Sequence, residues 1–319
     1  EYNKNKHGDT VALIILDRAT RWLQGIGCAT KSAKDTAAAF KRYLGVIVPE
    51  HVYTDNIHEF NAAMKELNYT HDTCTPHRPQ TNGIAERAVR KVKEGTSCAL
   101  VQSGLVDLWW REAMACFCHL NNVTDKQTGP KTPYCQRFGY EFHGPIAPFG
   151  CEVTYKPSSP NDVDMLAKFG SKTLSGIFLG YELEAGGAWT GDVKIAPWHK
   201  FEQANTIADV KVRRIKAEEV HFPKPGGRFS FPIADGSLRQ PNDGIHRLRN
   251  KTTKKSRVPE EPDEDLAGEF DDSIFDDPIH VDLPAPEPQE KDYWKIVGQA
   301  LVRVHKEPRT TLYVPIAEE

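Results

Sequence analysis

No apolar run in this 319-residue chain approaches the roughly 20 residues a helix needs to span a bilayer, which excludes a transmembrane helix and leaves no membrane partner to expect. Nor does a basic-then-apolar segment open the chain, as a secretory signal would. The first residue is Glu1 and not Met, so the expectation is an internal piece of something longer, or a processed product. The seven cysteines (Cys28, Cys74, Cys98, Cys116, Cys118, Cys135, Cys151) are odd in number and scattered. That argues against a disulfide framework and for free thiols in a reducing compartment. Cys116-Phe117-Cys118-His119 could suggest zinc, but no second ligand pair stands at zinc spacing. A buried helix carrying small apolar cysteines is the better reading. There is no internal repeat.

Basic residues are missing altogether from 259–290, which holds 13 acids and no Lys or Arg. The formal net charge of -3 therefore hides an asymmetry, because residues 1–258 carry 36 basic against 27 acidic side chains, a net of +9. A basic body suits a polyanionic partner. The length leaves room for two domains, or one with long tails.

Val11-Ala12-Leu13-Ile14-Ile15-Leu16 is a continuous apolar run of strand length after a Gly8-Asp9 turn, as expected for a strand buried on both faces. Residues 22–26 read as its hairpin partner. Residues 32–44 read as a helix with an Ala33, Ala37, Phe40, Tyr43 and Leu44 stripe and a Gly45 stop. A strand follows over 46–53, starting late because of Pro49, then a short helix over 60–67 and a brief strand over 70–75. The next helix starts at Asn82, which can cap it, or Gly83, and runs to about 103. Its apolar positions, Ile84, Ala85, Ala88, Val89 and Val92, keep helical spacing. Residues 106–121 form a further helix whose Trp109, Trp110, Met114 and Phe117 read as core. The whole is a mixed-sheet α/β pattern.

Beyond Pro157 the character changes. Residues 174–181, 193–196 and 215–222 read as short strands between glycine turns, a small β domain of barrel type. A basic stretch with Arg247, Arg249, Lys251, Lys254, Lys255 and Arg257 follows. It reads as a nuclear-localisation signal, a DNA-binding arm or a solvated linker. The acidic, Pro-rich segment has too little apolar content to bury and is expected to be disordered. Residues 293–314 read as a short ordered return or the start of a further segment. The domain boundaries are thus 1–150, 151–224, 225–290 and 291–319.

Two acids stand out. Asp55 ends the 46–53 strand, and Glu86 sits in the first turn of a helix with a basic face. Carboxylates on rigid elements can hold Mg²⁺ or Mn²⁺, hard cations that prefer oxygen ligands. Two-metal phosphodiester chemistry needs ions roughly 3.5–4 Å apart. Arg87, Arg90, Lys91 and Lys93 are the candidate DNA contacts, and Arg90 and Lys93 fall near the face of Glu86 at i+4 and i+7. The pattern alone equally allows a surface Glu86–Arg90 pair, worth about 0.3–0.5 kcal/mol.

Asp55-Asn56-x-x-Glu59-Phe60, followed from Pro76 to Arg87 by Pro-x-x-Pro-Gln-x-Asn-Gly-x-x-Glu-Arg, resembles the catalytic core of integrases from long-terminal-repeat retrotransposons. Leu16-Asp17-Arg18-Ala19-Thr20-Arg21-Trp22 is similar to the segment on that family's second strand. Trp109/Trp110-x-Glu112-Ala113, Thr132-Pro133-Tyr134, Phe149-Gly150-Cys151 and Gly176-Ile177-Phe178-Leu179-Gly180-Tyr181 resemble the copia-type branch. The resemblance covers roughly residues 8–222. It implies a ribonuclease-H-like sheet with flanking helices, followed by a small β-barrel-like domain and a disordered acidic tail. It also implies 3'-end processing and strand transfer on double-stranded DNA, self-association, and a nuclear location with a cytoplasmic particle stage. Asp55 matches the second acid of a two-Asp, one-Glu triad, Glu86 the third, and Asn82 and Gly83 the turn into the helix.

The departures shape the expectation. Asp55 and Glu86 are 31 residues apart, fewer than is usual in the family, and Ile57 stands where glycine is usual. The first acid belongs on a strand ahead of Glu1; neither Asp9 nor Asp17 matches it. The family's amino-terminal His/Cys zinc module is not seen. The chain is therefore expected to bind DNA without cleaving or joining it. The alternative is a non-catalytic DNA- or chromatin-binding remnant of a decayed or domesticated element. A transposase-like nuclease is a third reading, opposed by the copia-like segments.

Overall fold

A computed structural model of the chain describes residues 4–74, 83–126, 130–241 and 295–303. β1 (Val11–Asp17) is buried at every residue. Its alternate side chains divide between two cores, as period-2 geometry requires. Val11, Leu13 and Ile15 join Trp22, Phe40, Tyr43, Phe60 and Met64 on one side. Ala12, Ile14 and Leu16 join Ala85, Ala88, Val92, Trp110 and Met114 on the other. Helices α1 (Ala33–Leu44) and α2 (His58–Leu67) supply the first core. Helices α3 (Gly83–Ser103) and α4 (Trp110–Thr124) supply the second. The result is a sheet between two helical layers.

That sheet has the order β2-β1-β10-β3-β4. β2 (Leu23–Cys28) is the antiparallel hairpin partner of β1, and β3 (His51–Thr54) pairs in parallel with β4 (His71–Thr73). The central place belongs to β10 (Lys295–Arg303), parallel to β1 and antiparallel to β3. Of the two readings of residues 293–314, the ordered return is therefore the one that holds for 295–303.

Local signals explain most element ends. The Ser32 side chain accepts from Asp35 N at the start of α1, and Gly45, at φ 62, closes it. Pro49 has no N–H for a ladder, and β3 begins only at His51, which leaves Val46 and Val48 outside the sheet and 98% and 70% exposed. α3 and α4 meet so closely that a Cβ at Gly95 would stand 2.1 Å from the Phe117 ring, a contact only glycine permits. Cys116 and Cys118 are buried on α4, where burial pushes the Cys118 thiol up to about 12. His119 lies among Phe142 and Tyr181, with ring centroids 4.9 and 4.1 Å away, and burial lowers it to about 3.

α5 (Pro133–Phe138), capped by Thr132, leads toward a second sheet of order β8-β7-β6-β5-β9. Its strands are β5 (Glu152–Tyr155), β6 (Leu174–Leu183), β7 (Trp189–Pro197), β8 (Arg213–Lys216) and β9 (Val220–His221), all antiparallel neighbours. The single strand expected over 215–222 is two, divided by a 3₁₀ turn at Ala217–Glu219. Among the described residues no pairing joins the edge strands β8 and β9. Short helices α6 (Pro160–Val163) and α7 (Trp198–Gln203) flank this sheet in the chain. Residues 225–241, read as the start of the linker, are packed instead. Leu238 is buried, and Gln240 donates to Gly104 O at 2.7 Å and accepts from Val106 N at 3.2 Å. The Arg247–Arg257 cluster and the acidic tail lie outside the described residues.

Candidate metal and nucleic-acid site

Asp55 follows the last residue of β3. Its carbonyl accepts from Ile57 N at 2.9 Å, which turns the chain into α2. Ile57 has φ -110, ordinary extended backbone, so the turn does not call for the family's usual glycine. Phe60, 1% exposed and edge-on to Phe40 at 6.5 Å, anchors that turn in the core. The Asp55 carboxyl is half-buried. Its Oδ1 lies 3.7 Å from the Cys74 thiol, on the residue after β4. Thr54 Oγ1 donates to Asp55 O at 2.9 Å and stands 2.7 Å from His71 Nε2. Burial desolvates the Asp55 carboxylate and raises its pKa; the thiol's hydrogen bond opposes this, and the negative charge of Glu86 adds to the rise. The structure thus brings together two acids 31 positions apart in sequence.

Glu86 lies exposed in the first turn of α3, where an acid suits the helix dipole. Gly83 opens that helix with nothing within 4 Å of where a Cβ would stand; Asn82 lies outside the described residues. The four candidate DNA contacts do not share one face. Arg90, exposed, and Lys93, half-buried, follow Glu86 at helical spacing. Arg87 and Lys91 are rotated away and line a separate cleft of about 210 Å³. Lys91 is held there by Asp125 at 2.7 Å.

That cleft includes a residue the sequence reading passed over. Arg21 lines it together with Leu16, Ile84 and Pro133, and its backbone is left-handed at φ 62. The cause lies in the β1–β2 turn. Asp17, fully buried, accepts from Ala19 N at 2.9 Å and from Thr20 Oγ1 at 2.5 Å. The signal available in sequence was only an Asp-x-x-Thr turn; nothing in an arginine's identity announces a positive φ.

Nothing supplies a third acid beside Asp55. Ala300 of β10 pairs with Thr54, and the antiparallel register carries Gln299 to the level of Asp55. β10 contains no Asp or Glu. Among the described residues no group of three or more His, Cys, Asp or Glu is gathered to hold a metal ion. Two coupled carboxylates are nonetheless a hard-oxygen donor set of the kind Mg²⁺ or Mn²⁺ takes, and a cation between them would relieve the repulsion that Asp55 registers.

No family model matches the sequence, and no curated protein matches it. Among solved structures, the chain is similar to the catalytic core domain of BIV integrase, at 19% identity and a TM-score of 0.31 over 40% of this chain and 92% of that one. It is also similar to a chain of the simian T-cell lymphotropic virus intasome in complex with PP2A regulatory subunit B56 gamma. That match has 16% identity and a TM-score of 0.32 over 64% of this chain and 69% of that one. At this identity and TM-score neither likeness bears on the chemistry.

Proposed function

We propose that this chain is the core of a copia-type integrase, a DNA-integration protein that binds double-stranded DNA beside a divalent-metal site and, in this chain, lacks a complete catalytic triad. The observation that carries the proposal is the electrostatic coupling of Asp55 and Glu86, the acids of the two sequence motifs. Asp55 and Glu86 would hold Mg²⁺ or Mn²⁺. The ion would supply Lewis-acid stabilisation to a phosphodiester. Arg90 and Lys93, on the Glu86 side of α3, would bind the phosphate backbone and orient it toward the carboxylates. The integrase reading carries with it a nuclear site of action and self-association.

One observation favours the second reading, a non-catalytic DNA- or chromatin-binding module. The strand beside Asp55 presents Gln299 at its level and no acid anywhere along it. The two readings share DNA binding and part at chemistry. The test is a pair of assays on the 319-residue chain: duplex binding by fluorescence anisotropy, and strand transfer with Mg²⁺ or Mn²⁺. Binding that weakens steeply with salt, without strand transfer, is expected. Absence of binding contradicts both readings, and strand transfer abolished by Asp55→Asn or Glu86→Gln contradicts the incomplete triad.

A further inference from the structure

We infer that the cleft between α3, the β1–β2 turn and the end of α4 is a second nucleic-acid contact, a subsite for one sugar-phosphate of the DNA backbone held by Arg21 and Arg87. The inference rests on the DNA-binding reading and places a contact where that reading has none, away from the Glu86 side of α3. Four observations lead to it. Arg21 and Arg87 both line the cleft, and no hydrogen bond or ion pair occupies either guanidinium among the described residues. Lys91, the third cation there, is neutralised by Asp125 at 2.7 Å, so the uncompensated charge of the cleft is that of the two arginines. Their planar forks match phosphate oxygens two at a time.

The cleft's size and floor narrow the ligand further. At about 210 Å³ it falls below the roughly 300–1,000 Å³ of sites for drug-sized molecules. Leu16, Ile84 and Pro133 make an aliphatic floor. No Phe, Tyr, Trp or His lines it on which a base could stack, so a base-binding platform is not built here. An aliphatic surface beside two guanidinium groups suits the carbon face of a deoxyribose and its phosphate. A free phosphate would leave that floor unused.

Arg21 supplies the fourth observation. Two non-glycine residues have positive φ, Asn68 and Arg21. Asn68 is the C-cap of α2, a common place for it. Arg21 caps no helix, and an L-residue with a long side chain is strained there. The turn held by Asp17 keeps that strained backbone aimed at the cleft.

The test measures binding of a fluorescein-labelled DNA duplex to the full chain across 50 to 200 mM salt, by anisotropy. Arg21→Gln with Arg87→Gln should make the slope of log affinity against log salt shallower by about 1.8, from two lost contacts at about 0.9 each. Arg21→Lys with Arg87→Lys should keep the native slope. If the double Gln variant fails to fold, Arg87→Gln alone, on an exposed residue, should lower the slope by about 0.9. A native slope in a folded Gln variant, while the unaltered chain binds duplex, overturns this inference alone; no duplex binding by the unaltered chain overturns the DNA reading with it. Arginine-dependent binding to phosphatidylserine vesicles in place of duplex would also overturn it.

Discussion

The ends of β1 and β3 each place an aspartate, Asp17 and Asp55, at the edge of the same sheet, and the two acids meet different fates. Asp17 is fully buried, and its oxygens are taken by Ala19 N and Thr20 Oγ1. Asp55 is half-buried, touches a thiol and feels the charge of Glu86. The difference teaches that a strand-end acid becomes a ligand candidate only where its own turn does not claim the carboxylate. At β1 the carboxylate builds the turn; at β3 the backbone carbonyl of Asp55 builds it and the side chain is left for chemistry.

The largest expected effect tests what holds the second of these turns. Phe60→Ala should cost about 3–5 kcal/mol, because Phe60 packs α2 against Phe40 and so fixes the Asp55 turn. A loss under 1 kcal/mol in urea denaturation would mean that α2 is not anchored this way.

Next, the two aspartates should respond oppositely. Asp17→Ala should destabilise by about 2 kcal/mol, the scale of a lost hydrogen bond to a charged group. Asp55→Asn should leave stability unchanged or raise it near neutral pH. The sign follows from linkage. A carboxyl whose folded pKa lies above its ordinary 3.8 binds more protons folded than unfolded. Its contribution to stability therefore falls as pH rises from that value through the raised one. Asp55→Asn should remove this component from the pH profile of denaturation. Equal destabilisation by the two substitutions would erase the comparison.

A smaller effect sharpens the β1 side. Arg21→Gly relieves a left-handed backbone and should stabilise the fold by about 1 kcal/mol while weakening duplex binding. A variant with lower stability would show that Arg21 is held for structure. Smallest is Lys91→Ala. Its pair with Asp125 has a lysine 43% exposed, so the loss should stay within about 0.2–1 kcal/mol in thermal or urea unfolding.

Much of this was legible in sequence because the signals are local. The β1 run, the Ser32 cap and Gly45 stop of α1, Asp55 at a strand end and Glu86 in a first turn are each set by neighbours within a few residues. The central strand was not. β10 pairs Val11 with Lys295, a contact across nearly the whole chain that no local pattern encodes. The division of α3's cations was half legible: spacing grouped Arg90 and Lys93 with Glu86, but only the packed structure shows Lys91 tied to Asp125 and Arg87 turned into the cleft. Arg21 escaped because backbone sign is decided by the Asp17 turn and not by residue type.

The most direct test of the central claim is calorimetric titration of Mn²⁺ into the full chain and into Asp55→Asn and Glu86→Gln. The account predicts saturable binding by the unaltered chain, lost in each variant. It also predicts a gain in unfolding free energy of about 1.4 kcal/mol at ten times Kd. Binding of equal affinity in all three proteins, or none by the unaltered chain, would contradict it.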